Sequence, residues 1–196
     1  MANEGAFGDH RLMGEFAIRP GRVGDAAVIL DLLDKAVSWL VEQGRTDQWG
    51  AHPASQNARF VERAEAWEAD DGLYVALVDG EPVGALVVGE RMSYVSAADV
   101  SELYVQFLVV DRARKGHRIG TRLLEHAQKL AEAAEVDQLR VDCFRGPDRA
   151  LVEYYRSQGF RLDEEFTVER TDQPDWPGQT LVKTIVPATC GLSSPL

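Results

Sequence analysis

Apolar and polar positions recur along this chain with two periods, one near 3.6 residues and one of two, and the switches between them mark the elements. FAIRP, Phe16 to Pro20, predicts a short first strand stopped by its proline. Asp25 then stands where a helix cap is expected. Ile29, Leu30, Leu33, Val37, Leu40 and Val41 follow at helical spacing until Gly44. After the loop-like stretch RTDQWGAHP, a second helix carries Phe60, Val61, Ala64 and Trp67. In LYVALVDGEPVGALVVGE two apolar runs flank Asp79-Gly80, the residue pair of a tight β-hairpin turn.

LYVQFLVV, Leu103 to Val110, is almost wholly apolar and predicts a central strand buried on both faces. Leu123, Leu124, Ala127, Leu130, Ala131 and Ala134 then mark one face of an amphipathic helix, and LRVDCF (Leu139 to Phe144) predicts another strand. PDRALVEYYRSQGF reads as a short helix with Asp148 as N-cap and Gly159 as its stop. FRLDEEFTVER and QTLVKTIV read as a closing strand pair around a loop containing Pro174, Trp176 and Pro177. The order βααβββαβαββ predicts an α/β single domain whose mixed sheet is flanked by helices. The expected limits are a tail over 1–14, a domain over 15–187 and a second tail over 188–196.

Composition narrows the class without naming an activity. The 196 residues suit one domain, and 45% hydrophobic with 27% charged residues is ordinary for a globular protein. Thirty-two acidic against 21 basic residues give a net charge of −11, which argues against nucleic acid and anionic membranes as partners and leans toward cationic ones. Cys143 and Cys190 stand in no metal-ligand spacing and read as reduced thiols. No apolar run approaches the ~18 residues of a membrane span, and the first residues lack a secretory core. A cytoplasmic enzyme or binding protein is the resulting expectation, with a homodimer left open.

One segment opposes this acidic background. Within RKGHRIGTRLL and its flanks, Arg112, Arg114, Lys115, His117, Arg118 and Arg122 are or can become cationic, just where a helix begins. A helix N-terminus already carries partial positive charge and unpaired N–H groups, so added cations are unfavourable there without an anion. Gly116 and Gly120 let the backbone approach such an anion, and Thr121 adds a hydroxyl. The physical reading is a phosphate or pyrophosphate cradle; the bland alternative is a solvated basic loop. A Walker loop is excluded because no Gly-Lys-Ser/Thr occurs, and a dinucleotide fingerprint fails for want of its three glycines.

VVDRARKGHRIGTRLLEHA resembles the acyl-CoA-binding segment of the GNAT superfamily of N-acetyltransferases. That pattern is Arg or Gln, two residues, Gly, one residue, then Gly or Ala. It falls on Lys115, Gly116, His117, Arg118, Ile119 and Gly120, with lysine at the first position and Arg118 in place of the first glycine. The DGEPVG hairpin is similar to the family's second and third strands. DRALVEYYRSQGF resembles the segment that reads Asn, a helix, Tyr, three residues and Gly-Phe; Asp148, Tyr155 and Gly159-Phe160 take those places. The resemblance spans about residues 16 to 186 by element order. It implies a central, mostly antiparallel mixed sheet and acetyl-CoA as cofactor.

Acetyl transfer to an amine requires a bound thioester, a neutral nucleophile, stabilisation of the oxyanion and a proton for the departing thiolate. The resemblance implies pantetheine pairing around Val109 and Val110, one of whose N–H groups faces the thioester oxygen. It implies Tyr155 as proton donor, against the alternative of a packed core tyrosine; neighbouring Tyr154 lacks the spacing to Gly159-Phe160. The family's usual base positions fall on Tyr104 and Gln106, neither a base at neutral pH. Glu102 is therefore taken as the base, with Asp142 as a further candidate beside the option of no base at all.

For the acceptor, the resemblance directs attention to WLVEQGRTDQWGAHP, where Gln48 and Trp49 are expected to shape a pocket completed by Tyr104, Gln106 and Asp142; Trp39 reads as ordinary packing. The leading expectation is acetylation of a small-molecule primary amine. A protein or peptide N-terminal acetyltransferase and a silent acyl-CoA-binding module are the alternatives.

Overall fold

The computed structural model describes residues 14–114, 117–171 and 174–186, and places seven strands in one sheet. The elements are β1 (Phe16–Pro20), α1 (Asp25–Glu42), α2 (Ala58–Ala69), β2 (Leu73–Val78), β3 (Glu81–Gly89), β4 (Glu102–Val110), α3 (Ile119–Ala133), β5 (Gln138–Phe144), α4 (Ala150–Ser157), β6 (Arg161–Val168) and β7 (Trp176–Thr184), with one 3-10 turn at Ala54–Gln56. This is the expected element order. The sheet runs β1-β2-β3-β4-β5-β7-β6, and β4 with β5 is its one parallel pair.

Local chemistry explains most boundaries. Asp79 and Gly80 both have positive φ, 53° and 81°, which matches the turn twist to the right-handed β2–β3 pair. Asp25 does not cap α1; Gly24 holds the cap position and Asp25 is the first helical residue. Its buried carboxylate instead accepts from both terminal nitrogens of Arg19 (2.7 and 2.8 Å) and from the Arg22 amide (2.8 Å), tying β1 to α1. Burial opposes ionisation there, yet Arg19 and the Arg22 amide hold Asp25 below the ordinary carboxylate value. Arg149, not Asp148, holds the cap position of α4, although the Asp148 carboxylate accepts the Ala150 amide at 3.1 Å. Trp176 and Pro177 lie within β7 rather than in the expected loop.

Two apolar layers sandwich the sheet. On one face α3 and α4 bury Leu86, Val88, Val105, Leu139, Val141 and Cys143; on the other α1 and α2 cover Ala85, Val87 and Val109. A bulge in β4 sets where its side chains point. Val87 pairs with Phe107 and Val88 with Val105, so Gln106 is an inserted residue. Beyond the bulge Phe107 and Val109 pack on the α1/α2 side, while Leu108 and Val110 face α3.

Candidate active site

The parallel β4–β5 pair stops early. Its partners run from Glu102↔Gln138 to Val105↔Val141, yet β4 continues to Val110 and β5 to Phe144. Past Val105 the strands part, and a cleft of about 1020 Å³ opens between them. The β4 residues beyond the bulge wall this cleft. For that reason Gln106, Phe107, Leu108 and Val110 are half-buried rather than enclosed on both faces as their apolar run predicts. Among the described residues, the strand's β5-facing backbone edge has no strand partner in this stretch.

At one end the cleft meets the start of α3. Arg118 is the cap residue, in the left-handed region at φ 49°, with no side-chain cap on the first-turn amides and no acid in that turn. Arg114, Arg118, Ile119, Gly120 and Thr121 line the cleft here, with Val109 and Val110 on β4. Lys115 and Gly116 lie outside the described residues, and His117 is half-buried beside them. Not every cation of the segment converges: the Arg122 guanidinium sits 3.5 Å from the centre of the Phe16 ring, and Arg112 stacks 3.8 Å over Trp39. Gly120 is required by space, since a Cβ there would come within 2.4 Å of the Tyr154 hydroxyl. That hydroxyl pairs with the Thr121 side chain. Asp148 does not itself line the cleft but pairs at 3.0 Å with Arg45, which does.

Tyr155 lines the cleft from α4, buried, with its ring edge-on to Tyr154 and Phe160. Burial, with Cys143, Tyr154 and Asp142 nearby, raises its phenol well above the ordinary value, so it stays protonated at neutral pH. Cys143, beside it, is likewise pushed up to about 12 by burial and the Asp142 charge. It is a buried free thiol rather than a nucleophile.

The other end is polar chemistry in an aromatic surround. The two Asp142 carboxylate oxygens accept from the Tyr104 hydroxyl at 2.5 Å and the Tyr94 hydroxyl at 3.4 Å. Burial raises the Asp142 pKa, while both phenols and Arg140 pull it back. Desolvation and the adjacent carboxylate raise both tyrosines in turn. Gln106 is spent structurally: it accepts the Trp67 indole N–H at 2.9 Å and donates to the Glu90 carbonyl at 2.8 Å. Phe107 stacks on Trp67 at 4.8 Å and lies 6.5 Å from Trp49. Gln48 and Trp49 line the cleft, and the Gln48 carbonyl accepts from Arg170 at 3.2 Å.

Of the expected site residues, Tyr104, His117 and Asp148 do not line this cleft, and neither does Glu102. It lies at the start of β4, where strand pairing is still intact, accepts from Gln138 at 3.1 Å and sits 3.6 Å from Arg140. Sequence reasoning missed Tyr94, Arg63 and Trp67 as cleft residues. Tyr94 lies in the β3–β4 connection, which showed no periodic pattern. Arg63 and Trp67 share an i, i+4 spacing that marked a helix face without showing what it faces. Among the described residues no group of three or more His, Cys, Asp or Glu is placed to hold a metal. None of their helices is long and apolar enough to cross a membrane.

Comparison with known proteins places this architecture. The family model "Acetyltransferase (GNAT) family" matches residues 33–160. The chain is 24% identical over 150 residues to the uncharacterized N-acetyltransferase YesJ of Bacillus subtilis, covering 73% of this chain and 80% of YesJ. A GCN5-related N-acetyltransferase from Rhodopseudomonas palustris shares its fold at TM-score 0.63 and 23% identity, over 89% of this chain and 99% of that one. YncA from Salmonella typhimurium, solved with its cofactor acetyl-CoA, superposes at TM-score 0.60 and 16% identity, again over 89% and 99%. Those two likenesses concern the fold, and the family model covers most of the chain: this protein belongs to the GNAT family of acetyltransferases, N-acetylating enzymes that draw on acetyl-CoA.

Proposed function

We propose that the protein acetylates the primary amine of a small molecule by its direct attack on the acetyl-CoA thioester. The observation that carries this reading is the parting of β4 and β5. It leaves Asp142 on the α1/α2 face and Tyr155 on the α3/α4 face of one cleft, so a proton acceptor and a proton donor address it from opposite sides.

The donor fits the residues present. An uncapped first turn of α3, the Gly120 approach and the cations Arg114 and Arg118 suit a pyrophosphate, and Lys115 and His117 lie between those two arginines in sequence. The free edge of β4 near Val109 and Val110 offers backbone groups to an amide-bearing arm. Ile119 is the buried anchor of that helix start, Thr121 brings a hydroxyl to the cleft beside Tyr154, and Asp148 pairs with the cleft residue Arg45. Acetyl-CoA supplies the acetyl group already activated as a thioester.

The chain's own work is to hold the amine and move two protons. Asp142, made more basic than a surface carboxylate by burial, accepts the proton of the incoming ammonium. Tyr104 orients that carboxylate through the 2.5 Å hydrogen bond. Tyr155 donates its phenolic proton to the departing sulfur. Asp142 replaces Glu102 as the proposed base because Glu102 lies where the sheet is closed.

Release of free thiol from acetyl-CoA, followed against a panel of amines and peptides, tests the proposal. Saturable turnover of small amines, abolished in Tyr155→Phe, is the expected result. Turnover of peptide N-termini alone would make the protein a peptide acetyltransferase, and CoA binding without turnover on any acceptor would make it a silent module.

A further inference from the structure

The cleft reverses the charge of the chain. A protein of net charge −11 lines this cleft with five arginines (Arg45, Arg63, Arg112, Arg114 and Arg118) against two aspartates, Asp111 and Asp142. Four of the arginines have places already described: Arg45 pairs with Asp148, Arg112 lies on Trp39, and Arg114 and Arg118 stand at the start of α3. Asp111 is occupied as well, accepting the Ala113 amide at 2.9 Å in the turn after β4. What remains is one carboxylate and one guanidinium at the acceptor end.

Arg63 is that guanidinium. It projects from α2, lines the cleft with Phe60, Trp67 and Tyr94, and lies 5.9 Å from the centre of the Trp67 ring. Among the described residues it has no ion pair with a carboxylate. Tyr94 and Asp142 line the same cleft. The hydroxyl of Tyr94 is 3.4 Å from Asp142, and the Arg63 charge acts on the same phenol.

Resting on the acetyl-transfer reading above, we infer that the acceptor is a free amino acid with an apolar side chain, its amine held by Asp142 and its carboxylate by Arg63. The walls decide the side chain: Trp49, Trp67, Phe107, Phe144 and Trp176 line this part of the cleft. A diamine or polyamine would bring a second cation against Arg63 and the other arginines. A monoamine without a carboxylate would make no use of Arg63, whose exposed guanidinium is free to take an anion from solvent. A zwitterion satisfies both charges at once, and each charge-assisted hydrogen bond of this kind is worth about ten- to hundredfold in recognition.

Matched pairs test the inference. Thiol-release kcat/KM is measured for L-phenylalanine against 2-phenylethylamine and for L-methionine against 3-(methylthio)propylamine, in the wild type and in Arg63→Glu. The wild type is expected to favour each amino acid by about tenfold or more, and the charge reversal to lower the amino acid to amine ratio by at least about tenfold. The ratio between variants cancels the different basicities of the amines. Arg63→Lys should keep part of the preference, and raising salt should narrow it in the wild type. If Arg63→Glu melts early, the lysine variant and the salt dependence carry the test. Preference for the amine in the wild type, or equal losses for both partners in the variant, overturns the inference alone. Thiol release from no acceptor at all, by protein that binds acetyl-CoA, overturns the transfer reading and this inference with it.

Discussion

The donor end of the cleft is made from one nearly continuous stretch, Val109 to Thr121. The acceptor end draws Arg63 from α2, Tyr94 from the β3–β4 connection, Phe107 from β4 and Asp142 from β5. In the proposed reading the first arrangement binds a constant chemical group with backbone amides and a few cations, which a strand, a turn and a helix start provide together. The second recognises a particular molecule, so its side chains come from elements that vary independently. On that reading the protein fixes its donor locally and its acceptor by assembly. The two ends should therefore fail in different ways when altered.

The largest separation is expected at the acceptor end. Asp142→Asn should lower kcat/KM for the acceptor by about 10²-fold or more, with little change in the KM for acetyl-CoA. The pH profile sharpens this. Because burial favours the neutral acid, the folded Asp142 loses its proton only above the ordinary carboxylate pKa, and activity should rise with pH through that raised value. Tyr104→Phe removes a hydrogen bond that favours the ionised form and should move this limb higher still. A wild-type profile without the limb, or one retained in Asp142→Asn, would assign the base elsewhere.

Next in size is the tyrosine pair on α4. Tyr155→Phe should cost about 10²-fold in kcat, as loss of a general acid does. Tyr154→Phe should instead raise the KM for acetyl-CoA, since its hydroxyl meets Gly120 and Thr121 at the start of α3. Exchanged phenotypes in steady-state kinetics would reverse the two assignments. Purely at the donor end, Lys115→Glu combined with Arg118→Glu should weaken CoA binding about tenfold or more and flatten its salt dependence. Calorimetric titration at two salt concentrations measures both, and unchanged affinity would sink the phosphate cradle.

The smallest effect belongs to neither end. Asp25→Asn breaks the pairing with Arg19 and should cost roughly 1–3 kcal/mol in urea unfolding, leaving the amino acid to amine ratio alone. Its pH dependence has a definite sign. The folded pKa of Asp25 is depressed, so its contribution is present above the unfolded carboxylate value of about 3.9 and disappears as pH falls through the lower folded one. The variant should lose that acid-side slope; a slope identical to the wild type would mean that other carboxylates carry it.

Sequence periodicity reached far into the fold. It placed β1 at Phe16–Pro20 to the residue, found the Asp79-Gly80 turn and ordered every strand and helix. It misplaced what depends on partners. Asp25 and Asp148 looked like caps by residue type, but each carboxylate also had an arginine within reach, Arg19 and Arg45, and the cap positions fell to Gly24 and Arg149. Trp176 and Pro177 looked like a loop because proline interrupts a strand pattern; Pro177 is tolerated at the second residue of β7.

The candidate site divides along the same line. RKGHRIGTRLL and the Tyr155 to Phe160 spacing pointed to the proposed donor side because amides, glycines and cations lie there at positions close in sequence. Glu102 was chosen by sequence proximity to the key strand, and tertiary structure placed it where β4 and β5 are still joined. The bulge at Gln106 and the parting after Val105 depend on pairing between β3, β4 and β5, which no single strand encodes in its own pattern. So the chain alone determined the element order, the hairpin and the cation-rich helix start, all products of local sequence and period. Only the tertiary structure decided that Asp142, Tyr94 and Arg63 line one cleft, because the carboxylate, the phenol and the guanidinium come from segments dozens of residues apart.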